Sequence, residues 1–270
     1  MRTTLLLSVS ALLVLTLPGV PAAAVPSRPA APVVATAGRT FLAYDQGRGT
    51  AVEAVGDVGT ATRVAVLVPG VGTRLADFDR GMGGVARRAP AVQARALYAR
   101  MHAADPAARV AVVAWLGYLP PSELNLDAIR EDVARAGARA LVAFVRALLV
   151  QRPDADVTLV GHSYGALVVG LAAPRLPQVH NLVVMGAPGM GVSRAADLGG
   201  ARVYSALASQ DWMRRVPQLR LLGFGHGARP SSPGFGATPL PTDGVAGHDY
   251  YLVPGSATLA AVANVALDRR

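Results

Sequence analysis

Gly161-His162-Ser163-Tyr164-Gly165 sets a serine between two glycines. The strand-forming run Val157-Thr158-Leu159-Val160 precedes it, and an alanine- and leucine-rich helical stretch follows. That is the strand–turn–helix context a nucleophile elbow requires. The turn holds its central residue in a strained backbone conformation and thrusts the side chain above the sheet. Glycines flank it because larger residues would collide with the neighbouring strand and helix. Ser163 is therefore expected to be a nucleophile. A plain glycine-rich turn is the competing reading of the same five residues, and the flanking elements weigh against it.

A serine hydroxyl is a weak nucleophile and needs a general base. Of the five histidines, His102 precedes the elbow on a helical stretch, His162 lies inside it and points elsewhere, and His180 begins a strand. His226, in Gly225-His226-Gly227, and His248, in Gly247-His248-Asp249-Tyr250-Tyr251, lie in loops late enough in the chain. His248 is favoured, because it stands just before the last helical stretch, where a loop can swing over the strand ends. The acid should follow a strand beyond the elbow. Asp211 does so through Leu207-Ala208-Ser209-Gln210. Asp197 falls in a small-residue run that reads as a connecting helix. Asp243 and Asp249 are weaker candidates, Asp249 because it adjoins the base and cannot easily turn back on its ring. Asp211 would hold the His248 tautomer and stabilise the imidazolium.

The oxyanion of an acyl-transfer reaction needs preorganised donors. One is expected from the Tyr164 N–H. The second is expected from Pro69-Gly70-Val71-Gly72-Thr73, after a strand at 64–68, with the Val71 N–H as the candidate. A simple strand-ending turn is the other reading of that loop. Trp115 and Tyr118, in Trp115-Leu116-Gly117-Tyr118, are expected either to line a substrate pocket or to be ordinary packing.

These groups need a scaffold that brings strand ends together. Phe41-Leu42-Ala43-Tyr44 and Ala51-Val52-Glu53-Ala54-Val55 read as two strands joined by a turn. Apolar runs at 63–68, 110–115, 157–160, 181–185 and 201–206 read as further strands, several of them fully buried. Helical spacing covers 92–103, 126–150, 164–173 and 256–267. Strand–helix alternation implies a mainly parallel sheet covered on both faces, with ligands outside the carboxyl ends of its strands. The stretch 218–247 is rich in Gly, Pro and Ser and reads as a long loop of the kind that covers a site.

Composition narrows the chemistry. Cysteine is absent, which excludes disulfides, thiolate metal sites and a cysteine nucleophile. The basic residues are all arginine, so there is no phosphate-loop lysine. Gly70-Val71-Gly72 lacks the rest of a dinucleotide fingerprint, and no His/Asp/Glu cluster has metal-ligand spacing. No metal or cofactor is expected. The net charge of +9 comes from scattered arginines without aromatic interleaving, which speaks against a nucleic-acid partner. It would give a weak attraction to anionic surfaces, hence peripheral association with a cell envelope.

Met1-Arg2-Thr3-Thr4, a mostly apolar run at 5–17, Pro18-Gly19 and Ala22-Ala23-Ala24 follow the plan of a secretory signal peptide, with cleavage near Ala24. An uncleaved anchor is the alternative, although the apolar run is short for a bilayer span. The expected organisation is a signal peptide at 1–24, a Pro/Ala-rich tail at 25–39 and one domain at 40–270.

Taken together, Val68-Pro69-Gly70-Val71-Gly72-Thr73, Trp115-Leu116-Gly117-Tyr118, the elbow and His248-Asp249-Tyr250-Tyr251 resemble the actinobacterial α/β-hydrolases long classed as a domain of unknown function. The resemblance covers about 41–267. It implies an α/β-hydrolase fold, with a mostly parallel sheet between helices, and a triad at Ser163, Asp211 and His248. The family's histidine is usually followed by a serine before Asp-Tyr; here Asp249 follows directly. The expected activity is secreted hydrolysis of a small-molecule ester or lipid-like substrate through an acyl-enzyme. Acyl transfer, amide cleavage, or a non-catalytic envelope-binding module on the same scaffold are the alternatives.

Overall fold

A computed structural model describes residues 34–36, 38–123, 131–216, 218, 220–221 and 224–269. The expected signal peptide and most of the tail lie outside the described residues, as do the first positions of the helix expected at 126–150. Among the described residues no helix is long and apolar enough to cross a membrane.

Eleven strands are described: β1 (Val34–Thr36), β2 (Arg39–Asp45), β3 (Thr50–Val55), β4 (Arg63–Val68), β5 (Val110–Leu116), β6 (Asp156–His162), β7 (Asn181–Met185), β8 (Arg202–Ala206), β9 (Arg220–Leu221), β10 (Phe224–Gly225) and β11 (Thr238–Pro239). Nine of them form one sheet in the order β1-β2-β3-β5-β4-β6-β7-β8-β11. Pairing is antiparallel from β1 to β5 and parallel from β5 to β11. The helices are α1 (Pro90–Ala104), α2 (Asp132–Gln151), α3 (Gly165–Ala172) and α4 (Ala257–Ala266).

The period-two alternation of the strands divides the core. Val64, Val66, Val113, Trp115, Leu159 and Val184 face α2 and α3. Ala65, Leu67, Val112, Val160 and Val183 face α1 and α4 on the other side. Because both faces are covered, β5 and β7 are buried along their whole length and read as unbroken apolar runs. The α2 helix buries Ala134, Gly137, Ala138, Leu141, Val142, Val145 and Leu148, the one-sided stripe expected of an amphipathic helix. The α3 helix is buried almost all round, which explains why it carries no charged residue.

Two expectations need correction. The tail does not run to residue 39: Val34–Thr36 pairs with β2, and Arg39 opens β2 with two bonds to the buried Glu53 carboxylate, each 2.8 Å. A three-residue strand in a Pro/Ala-rich context carries no periodicity to announce it. The stretch 218–247 is not one structureless loop either. Thr238–Pro239 extends the sheet, pairing parallel with β8, and Phe235 is buried in a short turn before it. Proline is tolerated there because an edge strand has a side that needs no donor.

Candidate active site

The elbow forms as expected. Ser163 follows the last residue of β6 with φ of +53°, and its N–H donates to the Met185 carbonyl at 2.9 Å. A left-handed serine is uncommon and costs backbone energy, so the surroundings must hold it. The helix α3 begins two residues later, at Gly165. A Cβ on Gly165 would lie 2.2 Å from the Val68 carbonyl oxygen, and one on Gly161 would lie 2.7 Å from Ala166 Cα. Both glycines are therefore required by close backbone approach, which is the reason the motif has them.

His248 and Asp211 meet beside this turn. Asp211 lies five residues past the end of β8, caps a 3₁₀ turn at Trp212–Arg215, and accepts from the Met213 N–H at 2.8 Å. Its Oδ1 and Oδ2 are 2.9 and 3.0 Å from His248 Nδ1. Gly186, one step beyond β7 and next to Ser163 across the β6–β7 pairing, is the surface on which both rest. A Cβ at Gly186 would lie 2.8 Å from Asp211 Oδ2 and 2.9 Å from His248 Cε1. The Asp211 side chain is fully buried. Burial pushes its carboxyl up, but bonds from His248, Tyr251 and the Met213 N–H outweigh that and hold it below the ordinary carboxylate range. An ionised Asp211 at Nδ1 leaves His248 Nε2 as the proton acceptor. Among the described residues Ser163 Oγ has no hydrogen-bonded partner. Such contacts are often long in a resting site and tighten with substrate.

The loop after β4 comes to the same place. A Cβ on Gly70 would lie 2.8 Å from Ser163 Cβ and 3.3 Å from its Oγ. Three anchors hold the loop. Tyr118 Oη donates to the Pro69 carbonyl at 2.7 Å, the Gly72 N–H donates to the Pro121 carbonyl at 2.8 Å, and Arg74 donates to the Pro120 carbonyl at 2.8 Å. The Val71 N–H makes no hydrogen bond among the described residues. Tyr164, next after Ser163, leads into α3, so its N–H belongs to the positive end of that helix.

Of the two readings of Trp115 and Tyr118, the packing one fits their burial better than a pocket wall does. Both are buried, and they stack on each other with ring centroids 5.8 Å apart. Burial raises the Tyr118 phenol well above its ordinary range, so it stays a donor to Pro69. Its place is behind the loop, as a brace.

Asp197, Asp249 and His226 have other neighbours. Asp197 ends a 3₁₀ turn and pairs with Arg194 at 3.2 Å. Asp249 pairs with Arg88 at 2.6 Å. His226 sets its ring edge-on to Tyr164 at 5.9 Å. A cleft of about 880 Å³ lies away from the elbow, lined in part by Leu42, Glu53, Arg95, Phe144 and Arg152. Its arginines are already paired with Glu53 or Asp154, so it offers no convergent free groups.

Three residues at the site were missed by sequence reasoning. Tyr251 Oη donates to Asp211 Oδ2 at 2.5 Å and accepts from the Ala208 N–H at 3.1 Å. His162 Nε2 lies 2.7 Å from the His248 carbonyl. Trp212 packs its half-exposed ring 4.7 Å from that of His248. The only local signals were adjacency: Tyr251 three residues after the base, Trp212 next to the acid, His162 next to the nucleophile.

The match to a protein-family model agrees with this architecture. A family model described as alpha/beta hydrolase matches residues 45–221. An uncharacterized protein of Mycobacterium tuberculosis is 33% identical over 266 residues, covering 84% of this chain and 39% of that protein. The chain thus spans well under half the length of that relative. An uncharacterized protein of Mycobacterium bovis is 35% identical over 187 residues, covering 67% of this chain and 69% of that protein. Among solved structures, an α/β serine hydrolase without a lid from Xanthomonas campestris is similar over 85% of this chain and 94% of its own, at 15% identity and a TM-score of 0.44. A Trichoderma reesei cutinase is similar over 77% of each chain, at 14% identity and a TM-score of 0.45. On the family match and the identity to its relatives, the chain belongs to the alpha/beta hydrolase family.

Proposed function

We propose that the chain is a secreted serine hydrolase that cleaves carboxylic esters through an acyl-enzyme. The observation that carries the proposal is the pairing of His248 Nδ1 with a buried, ionised Asp211 beside a left-handed Ser163. A module that only bound a surface would have no use for that pair. Secretion rests on the leader-like sequence at 1–24.

Ser163 Oγ attacks the acyl carbon as His248 Nε2 takes the hydroxyl proton. The carbonyl electron pair moves onto oxygen, which on this reading accepts from the Val71 and Tyr164 N–H groups. Collapse of the tetrahedral adduct expels the alkoxide, which leaves as the alcohol with the proton returned by His248. Water then attacks the acyl-enzyme with His248 again as base, and the carboxylic acid leaves. Asp211 keeps the Nδ1–H tautomer and stabilises the imidazolium without itself taking the proton. The sequence needs no cofactor.

The test is hydrolysis of short p-nitrophenyl esters together with labelling by a fluorophosphonate. Ser163→Ala should abolish both while retaining the wild-type circular dichroism. Asp211→Asn should lower kcat by on the order of 10⁴-fold through the wrong histidine tautomer. A wild type inert to a broad ester panel and unlabelled by the probe would sink the reading.

A further inference from the structure

His162 closes β6, paired with Met185, immediately before the nucleophile. Strand alternation puts its side chain on the sheet face covered by α1 and α4, the face on which Tyr251 is buried. There the ring lies 4.8 Å from that of His248 and 6.0 Å from that of Tyr251. Its Nε2 is 2.7 Å from the His248 main-chain oxygen, 86 positions further along the chain. A carbonyl only accepts, so Nε2 must carry the proton.

We propose that His162 is a positioning residue whose Nε2–H strut fixes the backbone of His248 to the strand that carries Ser163. The proposal rests on the reading of Ser163 and His248 as nucleophile and base. One strand then sets both partners of the proton transfer. The nucleophile follows the strand's last residue, and that last residue holds the base by its main chain. The base's imidazole is left free for Asp211 at Nδ1 and for the serine proton at Nε2. The segment's other polar contacts include ones to other elements: Asp249 to Arg88, the Tyr250 ring under the Arg87 guanidinium, and Tyr251 to Asp211. Among the described residues, the His162 bond is the one hydrogen bond that runs directly from that segment to the nucleophile's own strand.

The chemistry of the ring suits the task. Burial, then the neighbouring His248, lower its pKa to about 4, against weaker opposing pulls from the His248 carbonyl, Asp249 and Asp211. It therefore stays neutral, in one tautomer, across the range in which an imidazole base works. It does not compete for the serine proton, and no second positive charge arises beside the His248 imidazolium.

The experiment compares wild type, His162→Phe and His162→Gln, each checked for folding by circular dichroism, in p-nitrophenyl butyrate hydrolysis and in the rate of fluorophosphonate labelling. Phenylalanine fills the space without the donor, and kcat and labelling should fall about 10- to 100-fold, as a displaced catalytic group would give, with KM within about two-fold. Glutamine places an amide nitrogen near the Nε2 position and should restore most of the rate. Independently of any variant, ¹⁵N shifts of the wild type should show the Nε2–H tautomer of His162, unchanged from about pH 5 to pH 8. Active wild type with an equally active His162→Phe, an equal loss in the glutamine variant, or an Nδ1–H or titrating His162 would each overturn this proposal alone. An inert, unlabelled wild type would overturn it together with the reading of the site.

Discussion

Tyr251 donates its phenol hydroxyl to the same Asp211 carboxylate that accepts from the His248 ring, and it takes the Ala208 N–H on its own oxygen. The acid is thereby held by the base's own segment, three residues on from His248. Burial raises the Tyr251 phenol far above its ordinary pKa, and the bond to Asp211 raises it further, so it remains a donor throughout the working range. The buried carboxylate stays ionised because it has three donors, of which Tyr251 is one.

Tyr251→Phe removes one charge-assisted bond to a buried carboxylate and leaves the Ala208 N–H without its acceptor. Unfolding in guanidinium chloride at pH 7 should show a loss of about 2 kcal/mol. Asp211 titrates below its ordinary value in the folded chain. Its contribution is therefore present above the unfolded pKa and lost as pH falls through the folded one. With less depression in the variant, the acid-unfolding midpoint should move to higher pH. An unchanged midpoint and unchanged stability would show that the bond contributes nothing.

Gly70→Ala places a methyl group 2.8 Å from Ser163 Cβ, closer than packed atoms come, and a tight 3.1 Å from the His162 carbonyl oxygen. The loop or the elbow must shift. Activity should suffer more than stability: kcat/KM down by about 10²-fold for a displacement of this kind, against roughly 1–3 kcal/mol of overpacking. Measuring both on one preparation decides the matter, and a fully active variant would place the loop away from the reacting atoms.

His162 gives the fold a pH slope. Its folded pKa of about 4 lies below the ordinary 6.5, so the unfolded chain binds more protons between these values. Stability should rise with pH across that window and fall by on the order of 3 kcal/mol as the pH drops through it. Above the ordinary value both states are neutral and the effect vanishes. Asp211 adds its own loss only lower, beneath its ordinary 3.8. Denaturant unfolding at about pH 7, 5.5 and 4.5 should give a steeper slope for wild type than for His162→Gln, and parallel slopes would count against the assignment.

The sequence determined what depends on neighbours along the chain. The elbow could be read because its strand, its two glycines and its helix are contiguous, and a tight turn needs those residue types whatever surrounds it. The runs Arg63–Val68, Val110–Leu116 and Asn181–Met185 announced buried strands because a sheet covered on both faces demands unbroken apolar stretches. Chain order narrowed the base to His226 and His248, and local context favoured His248, just before the last helical stretch, and Asp211, beyond a strand, over Asp197 in its small-residue run. Tertiary structure decided what depends on contacts between distant segments. Trp115 and Tyr118 could be read as pocket walls or as packing, and only their burial and stacking on each other favour packing. The edge strands Val34–Thr36 and Thr238–Pro239 are too short to carry a period, and only pairing with β2 and β8 makes them strands. Beyond adjacency to the nucleophile and the base, His162 and Tyr251 carried no local sign of their role, because a hydrogen bond spanning 86 or 40 positions exists only once the sheet has brought its ends together.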